Sequence, residues 1–173
     1  MDAQTLRATQ APLKAKYRVD PASAMVTLYA TGALDDGVSC SVQTGRALAV
    51  AGLHPATGGD GSQLCSGDML LEALAACAGV TLRAVATSLG IEIRGGSVQV
   101  DGDLDFRGTL AVDKDTPVGF QDVRVRFHLD TDASGEQLET LLRLTERYCV
   151  VYQTLAHPPA LSLQLQEAGS VEG

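Results

Sequence analysis

The sequence has few of the residues that define several common functional classes. Tryptophan is absent and only 4 % of the 173 residues are aromatic, so leucine, valine and alanine must build the core. Lysine and arginine number 13 against 21 acidic residues, and the net charge of −8 argues against nucleic acid as a partner, since phosphate binding needs clustered cations. No glycine-rich loop with the pattern of a phosphate- or dinucleotide-binding motif occurs. We therefore expect no nucleotide or flavin cofactor.

The sequence also lacks a long, uninterrupted apolar run. The first 20 residues hold six charged side chains and no apolar stretch of seven, so we expect no signal sequence and a cytoplasmic location. The most apolar segment, 69–89, contains Glu72 and Arg83 and is rich in alanine, which favours a buried helix over a membrane span. No membrane partner is expected.

The chain length and the hydrophobic content of 45 % fit one ordinary domain. We expect a helical N-terminal arm over residues 1–24, one domain over 25–167 and a disordered tail over 168–173. Hydrophobic periodicity and turn residues predict a mixture of helices and strands. The predicted elements are a helix over 2–17, a hairpin of strands 25–31 and 37–43, a strand over 46–51, a loop over 52–66, a long helix from about 66 to 89 ended by Gly90, strands over 91–106 and 123–129, a helix from the capping box Ser134–Gln137 to about Arg147, a short helical turn over 150–155, and a strand over 161–165.

Aspartates alternate with other residues along 101–105, as in the first positions of a calcium-binding loop. That motif requires glycine and glutamate where this chain has Phe106 and Val112, so calcium binding is not expected. Strand alternation explains the aspartates as one solvated face of a sheet. Arg124 and Arg126 on the next predicted strand would be their cross-strand partners.

Two of the four cysteines lie in segments that suggest thiol chemistry. Cys77 is in the middle of the long alanine-rich helix, and Cys149 lies just before the short helical turn near the C-terminus. Two thiols in reach of one another can cycle between dithiol and disulfide, although free cysteines also pack as small apolar residues. In a reducing compartment any disulfide would be transient. Unpaired N–H groups at a helix start favour thiolate, which by this argument makes Cys149 the more acidic thiol.

The order of these segments resembles the OsmC/Ohr family. The segments are Thr44-Gly45-Arg46, then the glycines of residues 58–61, then the helix with Cys77, then Cys149, and the resemblance runs from about residue 25 to 166. It implies an α+β fold of the OsmC type, in which antiparallel sheets wrap two long central helices of an intertwined homodimer. It also implies that the two cysteines meet near the subunit interface.

The resemblance implies reduction of small hydrophobic peroxides, that is, organic hydroperoxides. Cys77 would then be the peroxidatic thiol, Cys149 the resolving thiol and Arg46 the activating cation. Relatives that reduce hydroperoxides carry a glutamate near the start of the cysteine helix, where this chain has glycine followed by Asp68, so Asp68 is the candidate substitute. Cys65 is an alternative resolving thiol. Reducing power would come from an external dithiol, by resemblance a lipoylated protein.

Three other functions compete with peroxide reduction. A dimer without catalytic activity could hold a hydrophobic small molecule in its interface cleft, with the cysteines lining it. Zinc would need ligands that converge from distant segments, because no Cys-x-x-Cys or close histidine pair exists, and we expect no metal. A hydrolase would need one of three scattered histidines as its base. The zinc ligands would be His54, Cys65, Cys77 and Cys149, and the histidines of a hydrolase His54, His128 or His157.

Overall fold

One long apolar helix organises the fold in the computed structural model, which describes residues 2–20, 31–34, 39–44 and 47–165. An N-terminal helix, α1 (Ala3–Val19), confirms the helix predicted over 2–17. The predicted tail over 168–173 and the boundary between arm and domain near residue 24 lie outside the described residues.

The first sheet has the strand order β1-β2-β3-β4. Its strands are β1 (Thr31–Leu34), β2 (Ser39–Thr44), β3 (Ala47–Gly52) and β4 (Leu64–Cys65). The antiparallel pairing of β1 with β2 confirms the predicted hairpin, although β1 shares only Thr31 with the strand predicted over 25–31. The rest of that predicted strand and the hairpin turn lie outside the described residues. The strand predicted over 46–51 is confirmed as β3.

The predicted loop over 52–66 contains more structure than its sequence indicates. A 3-10 turn (Pro55–Thr57) follows His54, whose Nδ1 accepts a hydrogen bond of 3.0 Å from the Ala56 N–H. The loop then returns to the sheet, because β4 pairs in parallel with the end of β3. This return places Cys65 at the start of the long helix.

The long helix is α2 (Ser66–Leu89), as predicted, and Gly90 ends it. Gly90 has φ of 71°, and its N–H donates to the carbonyls of Ala86 and Thr87, which is the left-handed ending that glycine allows. By length and mean hydropathy (1.6), α2 could also cross a membrane, a test that core helices of soluble proteins pass as well. One side of α2 is buried, and its residues are Leu74, Ala78, Leu82, Val85 and Ala86.

The second sheet pairs β5 (Gly95–Leu104) with β6 (Phe120–Asp130) in antiparallel register, and the short helix α3 (Phe106–Thr109) lies between them in sequence. Arg124 bridges Asp101 and Asp103 at 2.6 Å each, and Arg126 also pairs with Asp101. The alternating aspartates therefore form the solvated, charge-paired face that their spacing predicts. The apolar face of the same sheet packs on α2.

Two further helices close the other side of α2. The capping box at Ser134 and Gln137 is present, with hydrogen bonds of 2.9 and 3.3 Å, and it begins α4 (Gly135–Tyr148). One residue, Cys149, separates α4 from the next helix, α5 (Val150–Ala156). Cys149 is both the C-cap of α4 and the N-cap of α5. Both helices contact α2.

The strand predicted over 161–165 is wrong for this structure. These residues are in no helix or strand, and Leu161, Leu163 and Leu165 are 89, 100 and 95 % exposed. An alternating apolar pattern specifies a strand only where a neighbouring edge offers hydrogen bonds and an apolar face. Within the described part of the chain this segment has no such neighbour.

Candidate functional site: a pair of thiols where α5 meets the central helix

The fold brings Cys77 and Cys149 into contact. Cys77 lies at the middle of α2, and Cys149 lies at the corner between α4 and α5, which pack on that helix. Cys149 is 1 % exposed and belongs to one buried cluster with Leu74 and Ala78, against which Cys77 packs. Alanine at position 78 keeps this part of α2 narrow enough for the corner to come close. Both cysteines are free thiols.

The surroundings of Cys77 favour its thiolate. Burial raises the pKa of Cys77, but hydrogen bonds from the Val151 N–H, the Cys149 thiol, the Val150 N–H and the Thr81 hydroxyl outweigh burial. The net result is a pKa below the ordinary value of a cysteine. The two backbone donors belong to the first turn of α5, where N–H groups have no partner within their own helix. Cys77 is therefore the thiol that ionises more readily.

The surroundings of Cys149 have the opposite effect. Burial raises the pKa of Cys149, and the neighbouring Cys77 raises it further, whereas the Tyr152 N–H lowers it by less. Helix placement favours an acidic Cys149 and the resemblance favours Cys77 as the attacking thiol, and the sequence leaves the order of the two open; the surroundings favour ionisation of Cys77. The Val150 N–H lowers the pKa of Cys77, which approaches α5 from α2, and the Val151 N–H acts on the pKa of both thiols.

Cys77 has the properties of a reactive thiol, and Cys149 those of a second thiol that can react with it afterwards. An ionised Cys77 can act as a nucleophile or a reductant, and the protonated Cys149 donates a hydrogen bond to it. Once Cys77 carries a leaving group on its sulfur, Cys149 is in place to displace it and form a disulfide. The arrangement supports two-electron thiol redox chemistry.

An apolar cavity of about 470 Å³ lies beside the thiol cluster. Leu74 and Tyr152 belong both to its wall and to the set of residues packed around the two thiols. Leu70, Phe120, Val123, Val125 and Leu155 complete most of the lining. The cavity can hold an apolar molecule next to, rather than far from, the sulfur atoms.

Asp68 lies in the first turn of α2 and does not reach the thiols directly. It precedes Cys77 by nine positions, which is about 13 Å along a helix axis. Its exposed side chain lines another cavity, of about 330 Å³, together with His54 and Cys65. Arg46 lies outside the described residues. Of the four predicted site residues, the structure brings together Cys77 and Cys149.

The expectation that Cys65 could resolve Cys77 is wrong within one chain. Cys65 precedes the first residue of α2, so it lies about 18 Å from Cys77 along the helix axis, and a disulfide needs Cα atoms within about 7 Å. The candidate zinc ligands fall in two places, since His54 and Cys65 line one cavity and Cys77 and Cys149 meet elsewhere. No cluster of three or more metal-ligating side chains occurs in the described ranges.

The histidines occupy three separate places. His54 stacks on Phe106, with ring centroids 4.9 Å apart. His128 is exposed on β6, and His157 is exposed at the end of α5. Of the three, His54 lines the cavity of about 330 Å³ that Cys65 and Asp68 also line, so a hydrolase interpretation would start from Cys65 rather than from Cys77 or Cys149.

Sequence reasoning missed the donors that act on Cys77. Thr81 follows Cys77 by four residues, so helical spacing alone places the hydroxyl one turn away on the same side. The position of Thr81 could therefore be read from the sequence. The contribution of Val150 and Val151 could not, because it depends on how α5 docks on α2, which is set by tertiary packing.

One family model matches this chain, and several solved structures share its fold. The family described as OsmC-like protein matches residues 59–164. Among solved structures, an OsmC-like protein from Mycoplasma pneumoniae has a TM-score of 0.65 and 18 % identity, with 78 % of this chain and 91 % of that chain covered. Two organic hydroperoxide resistance proteins also share the fold. The one from Legionella pneumophila has a TM-score of 0.60 and 18 % identity over 77 % of this chain and 91 % of that one. The one from Elizabethkingia anophelis has a TM-score of 0.58 and 16 % identity, with 78 % of this chain and 93 % of that chain covered. None of the curated proteins compared with the sequence matches it.

Proposed function

Because this chain belongs to the OsmC-like family, we propose that it is a thiol-dependent peroxidase that reduces organic hydroperoxides through Cys77 and Cys149. The observation that supports this most is the contact between a thiol of lowered pKa, Cys77, and a buried protonated thiol, Cys149. Peroxide reduction by cysteine needs both: a thiolate to attack oxygen and a second thiol to remove the product from the sulfur.

The proposed reaction has two steps. The Cys77 thiolate attacks the outer oxygen of ROOH, the O–O bond breaks, and the departing RO⁻ takes a proton to give ROH, leaving Cys77 as sulfenic acid. Cys149 then attacks the sulfenic sulfur, forms the Cys77–Cys149 disulfide and releases the oxygen as water. An external dithiol returns the disulfide to two thiols and is itself oxidised to a disulfide.

The donors around Cys77 fit the first step. The N–H groups of Val150 and Val151 and the hydroxyl of Thr81 hold the thiolate in an orientation open to attack while Cys149 keeps its proton. In this proposal Arg46 supplies the cation that stabilises charge on the departing oxygen, and Asp68 orients Arg46. A long guanidinium side chain is needed for that role, since Asp68 is about 13 Å from Cys77 along the helix.

The apolar cavity favours an organic peroxide over hydrogen peroxide. Its walls are leucine, valine and aromatic side chains, so an alkyl or aryl group gains free energy by leaving water there. Hydrogen peroxide has no group to place in it. We therefore expect the protein, with excess dithiol, to consume cumene hydroperoxide at least about tenfold faster than hydrogen peroxide, measured as kcat/KM.

The same cavity favours a second candidate function, the binding of a hydrophobic small molecule without peroxide chemistry. The two functions differ in one assay. If cumene hydroperoxide is consumed no faster than by free cysteine while cumyl alcohol still binds the cavity, ligand binding replaces the peroxidase proposal. If cumene hydroperoxide is consumed rapidly and hydrogen peroxide slowly, the cavity is the substrate site of a peroxidase.

We also propose that two copies form an intertwined homodimer. Only 28 % of the most apolar 18-residue window of α2 is buried, and its open side carries Ala73, Ala76 and the 72 % exposed Val80. By helical spacing this open side adjoins Cys77, so a second copy seated there would cover the thiol site. The alternating leucines of 161–165 also lack a sheet within the described chain, and an edge strand of a second copy would supply one.

Replacing Leu163 by aspartate tests the homodimer. A charge at a leucine that the partner buries should weaken dimerisation about a hundredfold or more. The measurement is molar mass by light scattering during size-exclusion chromatography across a dilution series. The matched control is Leu110→Asp, at an exposed leucine after α3, which should leave the mass unchanged. A wild-type protein that is monomeric at all concentrations contradicts the proposal.

A further inference from the structure

Phe120, the first residue of β6, separates two cavities that lie one after the other along α2. On that helix, Leu70 and Leu74 line the apolar cavity of about 470 Å³ beside the thiols. Gly67 and Leu71 line the cavity of about 330 Å³ nearer the start of the helix. Phe120 lines both cavities. Because Gly67, Leu71 and Leu74 recur at helical spacing, the two cavities follow one face of α2.

The Phe120 ring closes the passage between the two cavities by packing on two glycines. A Cβ at Gly102, on the neighbouring strand β5, would lie 2.7 Å from Cδ1 of Phe120, so glycine is needed there for the ring to fit. A Cβ at Gly67 would lie 3.5 Å from Cζ, which is an ordinary van der Waals distance. The ring therefore extends from β6 across β5 to the first turn of α2.

The ring lies at the end of the apolar cavity that is farther from the thiols. Leu74 packs in the buried cluster with Cys149 and precedes Cys77 by three positions. Gly67, next to the ring, precedes Leu74 by seven positions, which is about 10 Å along a helix axis. The alkyl group of a molecule that reacts at Cys77 would extend along α2 and meet the Phe120 ring after that length.

We propose that Phe120 is a specificity-determining residue that limits the substrates to hydroperoxides whose organic group is about as long as an octyl chain or shorter. The inference rests on the proposed function, in which the apolar cavity holds the organic part of the hydroperoxide. Each methylene group that leaves water in this cavity tightens binding by about fourfold. A methylene group beyond the ring gains nothing, because the ring fills the passage and leaves that group in water.

The space behind the ring would accept a longer chain if the ring were absent. Leu71 and Leu104 line the cavity there. Leu104 pairs with Phe120 across the sheet, and its Cδ1 would lie 3.7 Å from a Cβ at Gly67. Apolar side chains therefore continue past the ring, and removal of the ring lengthens the apolar path along α2.

Replacing Phe120 by alanine tests this limit on chain length. The ligands are the linear primary alcohols hexanol, octanol and decanol, titrated into the reduced protein by isothermal titration calorimetry. In the wild type, octanol should bind about tenfold tighter than hexanol, and the affinity for decanol should stay within about twofold of that for octanol. In Phe120→Ala, decanol should bind about tenfold tighter than octanol, because two more methylene groups leave water.

Two further variants complete the test. Phe120→Leu shortens the side chain and keeps it apolar, so it should show part of the same gain and keeps the test decisive if the alanine variant does not fold. Phe106→Ala makes the same change at a phenylalanine of the cavity of about 330 Å³, whose ring stacks on His54, and should keep the wild-type pattern. An unchanged ratio of decanol to octanol affinity in the folded Phe120 variants overturns the proposal, as does an equal gain in Phe106→Ala. A wild-type protein that binds decanol about tenfold tighter than octanol, or that binds none of the three alcohols, also overturns it.

The titration contains no peroxide, so its result does not depend on the reaction. Consumption of cumene hydroperoxide by the same proteins tests the proposed function separately. Rapid consumption together with an unchanged chain-length pattern in the Phe120 variants overturns the role of Phe120 alone. A pattern that changes in Phe120→Ala, without consumption of the hydroperoxide, supports the role of the ring and overturns the peroxidase.

Discussion

Replacing Cys77 by serine is expected to abolish the reduction of organic hydroperoxides, with kcat/KM falling by about three orders of magnitude or more. The hydrogen bonds from Val150, Val151 and Thr81 lower the pKa of the Cys77 thiol below the ordinary value of a cysteine. A serine hydroxyl is a far weaker acid, and the same donors leave it protonated and unreactive. The measurement is consumption of cumene hydroperoxide with excess dithiol.

Cys65→Ser is the matched control for that result. It removes a thiol of the same chain at the start of α2, about 18 Å from Cys77 along the helix axis. Activity should stay within about twofold of the wild type. If Cys65→Ser abolishes activity and Cys77→Ser retains it, the assignment of the reactive thiol is wrong.

Replacing Cys149 by serine is expected to leave the first chemical step and remove the second. Cys77 should still react with one equivalent of peroxide, because Val150, Val151 and Thr81 remain as donors and a serine hydroxyl at 149 can donate as the thiol does. Resolution should slow by about three orders of magnitude or more, because an attack within the molecule is replaced by one from a separate thiol. The product that accumulates is the sulfenic acid of Cys77, which dimedone traps and peptide mass identifies.

Two further measurements accompany the Cys149 variant. A buried hydroxyl at this 1 % exposed position costs about 1–3 kcal/mol where its hydrogen bonds are incomplete, so thermal unfolding is recorded alongside. Cys149→Ala repeats the experiment without a hydroxyl. If either folded variant still turns over rapidly with no trapped sulfenic acid, Cys149 is not the resolving thiol.

The elements that sequence predicted best are those that local chemistry decides. The helix α2 is rich in alanine and leucine and has a glycine at its left-handed end, so its bounds and Gly90 follow from propensity and capping. The start of α4 also follows from local sequence, because the capping box needs only Ser134 and Gln137. The pairing of Asp101 with Arg124 and Arg126 follows from alternation on two strands that a sheet brings together.

The predictions that failed depend on neighbours that no local pattern reveals. Residues 161–165 alternate like a strand, but a strand forms only where another edge accepts it. Cys149 lies at a helix start as predicted, yet the first N–H groups of α5 stabilise the sulfur of Cys77 because α5 docks across α2. Sequence identified both thiols as a pair, and the docking of α5 decides which of them is acidic.

The central claim is that the two thiols act as one redox unit, and oxidation of the fully reduced protein by one equivalent of cumene hydroperoxide tests it most directly. Free thiols are counted during the reaction, and disulfides are mapped by peptide mass. Two thiols per chain should disappear together, and the product should be a Cys77–Cys149 disulfide. Thiol loss only at the rate of an ordinary free cysteine, or oxidation of Cys65 alone, would contradict the claim.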